Sequence, residues 1–170
     1  MLAFALPGAL VWGTLGAALA EVVSTRGAFT VAAVYALLYG AIETLSLPVP
    51  VPGSHWQVPS HWVRGRAPRR AIAIWGAILG PGLWTRNPYA GIWMVALVLA
   101  ASAGPAAGAL AGAAAGGAHG AVRAAGVVAE LNRGDAGGVP ERLIARQYRW
   151  RYVDGALLLF AGGWFVTLLG

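Results

Sequence analysis

Three ionisable side chains lie inside apolar stretches of this sequence, and their types and spacing are the ones best suited to chemistry. Glu43 follows Tyr35 and Tyr39 at intervals of four, so the three side chains share one face of a helix. His119 and Arg123 are also four residues apart. An arginine can attract an anionic substrate, and a histidine can relay protons near neutral pH.

A carboxylate deep in a membrane costs about 3 kcal/mol unless it is paired or protonated. We therefore expect Glu43 to face the protein interior and to contact Arg123 or His119, with Tyr39 in the same polar cluster. Such a contact can serve transport, or it can simply fix how two helices align. Two alternatives stay open: Glu43 reaches the membrane interface at its helix end, and Arg123 extends to the cytoplasmic surface.

These polar groups end a glycine ladder, in which glycine recurs at every fourth position and alanine fills most gaps. Each interior glycine costs a helix in water about 0.5–1 kcal/mol relative to alanine, whereas small residues in a bilayer let a neighbouring helix approach closely. The ladder therefore predicts a helix-packing face. Its members are Gly104, Gly108, Gly112, Gly116 and Gly120.

The composition indicates a membrane protein. Of the 170 residues, 58% are hydrophobic and 11% charged, against about 25% charged in soluble domains. At about 20 residues per spanning helix, a single integral membrane domain over residues 1–170 holds five or six crossings. The partner implied is the lipid bilayer. The use of arginine alone for all twelve basic residues, with abundant alanine and glycine, indicates GC-rich coding. We expect the protein to lie in the plasma membrane of a bacterium.

Six apolar segments predict an all-α, polytopic transmembrane helix bundle. Segment three is short and contains Gly80-Pro81-Gly82, so it is either a kinked helix or a re-entrant segment buried in protein. Residues 140–151 are expected to form a separate, short amphipathic helix at the interface. The segments cover 4–23, 29–47, 71–84, 88–102, 104–128 and 152–169.

Two arginine-rich loops, residues 48–70 and 130–151, constrain the topology. Both favour the cytoplasm, so an even number of crossings should separate them, yet three apolar segments intervene. The conflict disappears if segment three is re-entrant, or if segments three and four form one broken passage. We favour five full spans plus one short broken or re-entrant segment, with a cytoplasmic N-terminus; six full spans is the alternative.

Other features give weaker signals and exclude several functions. His55 and His61, each followed by tryptophan, lack nearby cysteine or acidic residues, so we expect interfacial anchoring and no metal site. Asp154 is expected to cap the start of segment six beside Arg149 and Arg151. Without cysteine, thiol redox chemistry and iron–sulfur ligation are excluded. No catalytic constellation, phosphate loop or nucleic-acid-binding fold is recognisable, so we expect no enzyme, no cofactor and no nucleic-acid partner.

The broken segment three and the small-residue helix ending in GAHGAVR, within residues 75–123, resemble small bacterial membrane proteins of the CcdA/DsbD and MauE type. That resemblance implies about six helices with repeat symmetry. Members of the family carry reducing equivalents across the membrane through a cysteine pair. Because this chain has no cysteine, the resemblance implies a redox function that has been lost or replaced.

Two functions from different classes remain. The sequence favours a non-catalytic subunit that packs within a larger membrane assembly, with the glycine ladder as a contact face. The alternative is a small transporter or channel for a solute or ion, expected to be homo-oligomeric, with Glu43, His119 and Arg123 lining its path.

Overall fold

The computed structural model describes residues 1–51, 59–62, 65–83, 89–133 and 139–170. Six α-helices and one short 3-10 turn account for most of these residues, and no strand occurs among them. The predicted all-helical class is therefore confirmed for the described part of the chain. The α-helices are α1 (Leu2–Val22), α2 (Thr25–Thr44), α3 (Pro68–Leu79), α4 (Gly91–Ala100), α5 (Pro105–Arg133) and α6 (Val139–Thr167).

Helices α1 and α5 pack antiparallel along their glycines. A Cβ atom added at Gly8 would collide with the carbonyl oxygen of Gly116, and one added at Gly16 would collide with that of Gly108. A Cβ atom added at Gly108 would likewise collide with the carbonyl oxygen of Gly16, and one added at Gly116 with that of Gly8. The two backbones therefore approach closely because neither helix places a side chain between them.

Gly112 and Gly120 continue this contact, against the carbonyls of Trp12 and Phe4 respectively. Gly104 does not belong to the packing face. It lies before the start of α5, has a φ of +96°, and has nothing within 4 Å of its missing Cβ. A glycine suits that position because the left-handed backbone disfavours other residues.

Helices α2 and α6 form a second antiparallel pair. Gly40 of α2 lies against the backbone of Leu159, and Gly162 of α6 lies against Leu37. Near the other end of α6 the rings of Phe29 and Phe165 stack with centroids 5.6 Å apart. The hydrophobic core of this pair includes α4 and consists of Ala32, Ala33, Ala36, Ala90, Met94, Leu158 and Phe165.

Helices α3 and α4 are 12 and 10 residues long, too short for either to span a bilayer that needs about 20. Helix α3 begins with Pro68 in its first turn and packs on the start of α1, where Gly76 lies against the backbone of Ala3. After it, the indole Nε1 of Trp12 donates to the carbonyl of Pro81 at 2.8 Å. Helix α4 packs on both α1 and α2.

The pairing of α1 with α5 and of α2 with α6 brings the arginines near the start of α3 and those in α6 to one end of the bundle. The start of α1 lies beside the end of the ladder through Phe4 and Gly120, and the end of α2 lies beside α6 through Thr44 and Gly155. Because only two residues link α1 to α2, these contacts belong to the same end. We call it the basic end; its described arginines are Arg66, Arg69, Arg70, Arg149 and Arg151.

The two longest helices extend beyond their predicted limits. Helix α6 is continuous from Val139, so residues 140–151 are helical as predicted, but they belong to the same helix as segment six. Helix α5 likewise continues to Arg133. The reason is local. No glycine or proline interrupts the chain between Pro140 and Gly155. Arginine, leucine and glutamine, which occur in this stretch, have high helix propensities.

Candidate functional site

Glu43 lies in the last turn of α2 and is fully buried, with 0% of its surface exposed. Its Oε1 accepts a hydrogen bond from the backbone N–H of Ala90, 2.9 Å away. Ala90 is the N-cap residue of α4, where backbone N–H groups have no partner inside the helix. The glutamate therefore satisfies one of the free donors at the start of α4.

Asp154 of α6 satisfies the next donor. Its Oδ2 accepts from the backbone N–H of Gly91 at 2.8 Å. A Cβ atom at Gly91 would collide with Oδ1 of the same carboxyl group, so only glycine leaves room for it. Asp154 lies well inside α6, and the prediction that it caps the start of its own helix was wrong. It caps α4 instead.

The two carboxyl groups lie side by side, since they accept from successive backbone N–H groups. Oε2 of Glu43 is buried and has no hydrogen-bond partner among the residues that the structure describes. An ionised carboxylate can only accept hydrogen bonds, and two neighbouring carboxylates repel each other. A proton shared by Glu43 and Asp154 would remove both costs, which makes the pair a candidate proton-binding site.

Aromatic and cationic side chains surround the pair. The hydroxyl of Tyr35 donates to the carbonyl of Ala90 at 2.9 Å, and the ring of Tyr39 lies 4.7 Å from that of Tyr35. On the side of the basic end, Arg151 donates from Nη2 to the carbonyl of Leu47 at 3.1 Å.

Two polar atoms beside the pair have no described partner. They are Oγ1 of Thr44 and Nε of Arg151, both buried. Thr44 follows Glu43 directly and lies where a Cβ of Gly155 would be. The glycine after Asp154 thus lets the α6 backbone approach the end of α2, which brings the two carboxyl groups together.

His119 and Arg123 occupy a different place. His119 Nε2 and Arg123 Nη1 both lie against Gly82, after the end of α3. Their helix α5 packs chiefly on α1, whereas α2 packs chiefly on α6. The expected contact of Glu43 with either residue is not found among the described residues, where Glu43 accepts a hydrogen bond from Ala90 and lies beside Asp154.

Arg123 is directed towards Gly82 and hence away from the basic end, so it does not extend to the surface as one alternative expected. Side chains in a helix point back towards its N-terminus, which accounts for this direction. Of the two histidines before tryptophan, His55 and its neighbour Trp56 lie outside the described residues. His61 makes an edge-on contact with the ring of Trp62. No group of three or more potential metal ligands occurs among the described side chains.

Sequence reasoning missed Asp154 as part of the site, because the pairing of α2 with α6 is a tertiary contact. Two local signals were available. Asp154 lies at the start of an apolar stretch and Glu43 near the end of one, and each has a glycine close by, Gly155 and Gly40. Both glycines lie at contacts between the two helices.

No family model, curated protein or solved structure matches the chain, so the chemistry of the site is argued from its own residues.

Proposed function

We propose that this chain is a multi-pass protein of the bacterial plasma membrane that carries a small solute or ion across the bilayer, coupled to a proton held by Glu43 and Asp154. The observation that carries the proposal is the carboxyl pair at the first N–H groups of α4, in which Glu43 is fully buried and Asp154 is half-buried. Ionisable groups beside short, interrupted helices are typical of membrane transporters.

Residence in a membrane has separate support. Helices α1 and α2 are each long and apolar enough to cross a bilayer. Large apolar side chains point outward on several helices: Leu10 is 69% exposed, Leu110 75% and Phe160 75%. Lipid would cover these side chains without further protein.

The topology proposed has five crossings, formed by α1, α2, α5, α6 and one broken passage that consists of α3 and α4 together. Helix α3 enters from the basic end and stops at Gly80 to Gly82, beside Trp12 in the middle of α1. Both arginine-rich segments then face the cytoplasm, as the positive-inside rule favours. Helix α4 continues towards the opposite end, where Leu99 lies near Gly16.

The glycine ladder is less available to another protein than its sequence indicated. Gly108, Gly112, Gly116 and Gly120 are covered by α1 of the same chain. The ladder therefore gives no support to a contact with another subunit. This is why we place transport before the subunit role that the sequence favoured.

A non-catalytic subunit of a larger assembly, or a homo-oligomer, remains the second candidate because of one surface. Leu157, Phe160 and Trp164 follow each other at helical spacing on α6 and are 62%, 75% and 60% exposed. Such a stripe suits another membrane helix as well as lipid. Purification in mild detergent distinguishes these states by mass: the same second protein at fixed stoichiometry supports the assembly.

Transport is tested in liposomes that contain the purified chain and a pH-sensitive dye. Sodium phosphate, glycine and potassium chloride are added outside in turn, and proton movement is recorded. We expect at least one solute to move protons with the wild type, Glu43→Gln to abolish the movement, and Glu21→Gln to retain it, since Glu21 is exposed at the end of α1. Equal signals from wild type and Glu43→Gln contradict the proposal.

A further inference from the structure

An open apolar groove lies between α1 and α3, close to the basic end. Its volume is about 250 Å³, and apolar atoms make up nearly all of its wall. We propose that this groove binds one acyl chain of an anionic phospholipid, whose head group is held by Arg69 and Arg70 at the start of α3. The residues that line the groove are Phe4 of α1 and Ala71, Ile72 and Trp75 of α3.

The groove lies where α3 extends past the first turn of α1. Contacts between the two helices advance along both in the same direction, since Gly76 lies against Ala3 and Gly80 against Phe4. Ile72 is one turn before Gly76 on the same face of α3, where little of α1 remains to cover it. Ile72 is accordingly 54% exposed, whereas Phe4 is 6% exposed and forms the floor of the groove.

The size and chemistry of the groove suit a hydrocarbon chain. An apolar cavity of about 150 Å³ takes one benzene molecule and excludes water. A groove of about 250 Å³ therefore accommodates several methylene groups in a row. It is smaller than the pockets of drug-sized ligands, which measure about 300–1,000 Å³ and include placed polar groups. In a membrane, the hydrocarbon at hand is the acyl chain of a lipid.

Two arginines lie where the head group of such a lipid would be. Arg69, Ile72 and Trp75 follow one another at intervals of three, so they form a stripe along α3. Arg69 and Arg70 are exposed in the first turn of the helix. Their side chains point towards the helix start, because side chains in a helix lean towards its N-terminus. The stripe thus has the order of a phospholipid, with charge at one end and hydrocarbon after it.

The spacing along the helix axis fits the depth of a membrane leaflet. Trp75 lies about 9 Å beyond Arg69, at a rise of about 1.5 Å per residue. The head-group layer of one leaflet is about 5–8 Å thick. With Arg69 among the phosphate groups, Trp75 lies at the boundary between head groups and acyl chains. The groove beside Trp75 is therefore placed for the first part of an acyl chain.

No carboxylate among the described side chains neutralises these arginines. Glu21 lies at the opposite end of α1, and Glu43 and Asp154 accept hydrogen bonds from α4. Beside an anionic lipid surface, each arginine is worth about a fivefold gain in binding. Arg69 and Arg70 together should therefore distinguish an anionic lipid from a zwitterionic one by about tenfold or more. This site goes beyond the proposed transport and shares with it only the placement of the chain in a membrane.

Binding is tested on the purified full chain in nanodiscs of phosphatidylcholine, to which phosphatidylglycerol with dibrominated acyl chains is added in small steps. Bromine quenches the fluorescence of a tryptophan that it contacts. We expect a saturable loss of fluorescence at low phosphatidylglycerol content, which Trp75→Phe removes and Trp164→Phe retains. Trp164 is the control because it is exposed on α6, which does not line the groove. Dibrominated phosphatidylcholine in the same amounts should give no such saturable loss.

The contribution of the head group is tested at exposed arginines. Combining Arg69→Gln with Arg70→Gln should raise the phosphatidylglycerol content needed for half of the loss by about tenfold or more. Arg26→Gln is the control, since Arg26 is exposed at the opposite end of the bundle, in the first turn of α2. Substitutions at exposed positions such as these leave the fold intact, and thermal unfolding checks this.

The contribution of the acyl chain is tested by filling the groove. Ala71→Phe places a ring in it, whereas Ala73→Phe is a control at an exposed position of the same helix that does not line the groove. Ala71→Phe should weaken binding by about tenfold, the factor expected when two methylene groups lose their burial. Ala73→Phe should bind phosphatidylglycerol as the wild type does.

The inference is overturned if the two brominated lipids quench equally, which is the behaviour of lipid around any membrane protein. It is equally overturned if the double arginine variant or Ala71→Phe binds as the wild type does. Proton movement in liposomes without a preference for phosphatidylglycerol leaves the proposed transport standing and removes only the lipid site. Saturable lipid binding without proton movement contradicts the transport and leaves the lipid site standing.

Discussion

Glu43 and Asp154 accept hydrogen bonds from two successive backbone N–H groups, those of Ala90 and Gly91. The two carboxyl groups come from different helices, α2 and α6, and meet at the start of a third. Helix α4 is thereby attached to the α2–α6 pair through two N–H groups that have no partner inside α4 itself. A positive partial charge at the same helix start favours the carboxyl pair in return.

The first prediction concerns what Glu43 contributes to stability. Glu43→Ala leaves the N–H of Ala90 unpaired in the interior, which costs about 1–3 kcal/mol. Glu43→Gln keeps an oxygen for Ala90 and supplies an amide donor to Asp154, so its stability should stay near the wild type. Thermal unfolding in detergent measures both variants.

Glu21→Ala is the matched control for this experiment, because Glu21 is exposed at the end of α1. It should change the free energy of unfolding by no more than about 0.5 kcal/mol. If Glu43→Ala unfolds at the same temperature as Glu21→Ala, the carboxyl pair does not hold α4 in place.

The second prediction tests the close approach of Asp154 to Gly91. Gly91→Ala places a methyl group where Oδ1 of Asp154 lies, so we expect a loss of about 1–3 kcal/mol. In the background of Asp154→Ala the same substitution should cost much less, because the colliding atom is gone. Gly163→Ala is the control, since nothing lies within 4 Å of its added Cβ.

A double-mutant cycle on unfolding free energies gives the coupling between residues 91 and 154. Costs that simply add would contradict a direct contact between the two. The cycle also separates this contact from the general effect of alanine on helix propensity, which applies equally in both backgrounds.

Parts of this arrangement were predictable from sequence, because they depend on local patterns. Apolar stretches located α1 and α2 to within a few residues: segments 4–23 and 29–47 were predicted, and Leu2–Val22 and Thr25–Thr44 are found. The interruption at Gly80 to Gly82 also follows from residue type, since proline and paired glycines end a helix. These features need no knowledge of which helices are neighbours.

The partner of Glu43 was not predictable in the same way. The sequence offered two interior cations, Arg123 and His119, and opposite charges were the simplest pairing. The structure places Glu43 beside a second carboxyl group instead, where the N–H groups of α4 take the place of a cation. Hydropathy does not report which helices pair, and that pairing decides the site.

The third prediction concerns the α1–α5 contact. Gly112→Leu drives a side chain into the backbone of Trp12 and Gly13, so the two helices must separate. We expect a loss of about 3 kcal/mol or more, seen as a lower unfolding temperature and poor recovery of folded protein. Gly126→Leu is a control on the same helix, because nothing lies within 4 Å of a Cβ at Gly126. Equal behaviour of the two variants would show that the ladder does not pack on α1.

The last prediction separates five crossings from six, and the absence of cysteine makes it direct. Ala67 and Ala103 are both exposed, before α3 and before α5 respectively. With α3 and α4 as one broken passage, the chain crosses once between them, so Ala67→Cys and Ala103→Cys should react with a membrane-impermeant maleimide from opposite sides. With α3 as a full span, both would react from the same side. Labelling of intact cells and of inverted vesicles decides between the two topologies. Gly170→Cys, which lies beyond α6, is the control: it should react from the same side as Ala103→Cys in both topologies.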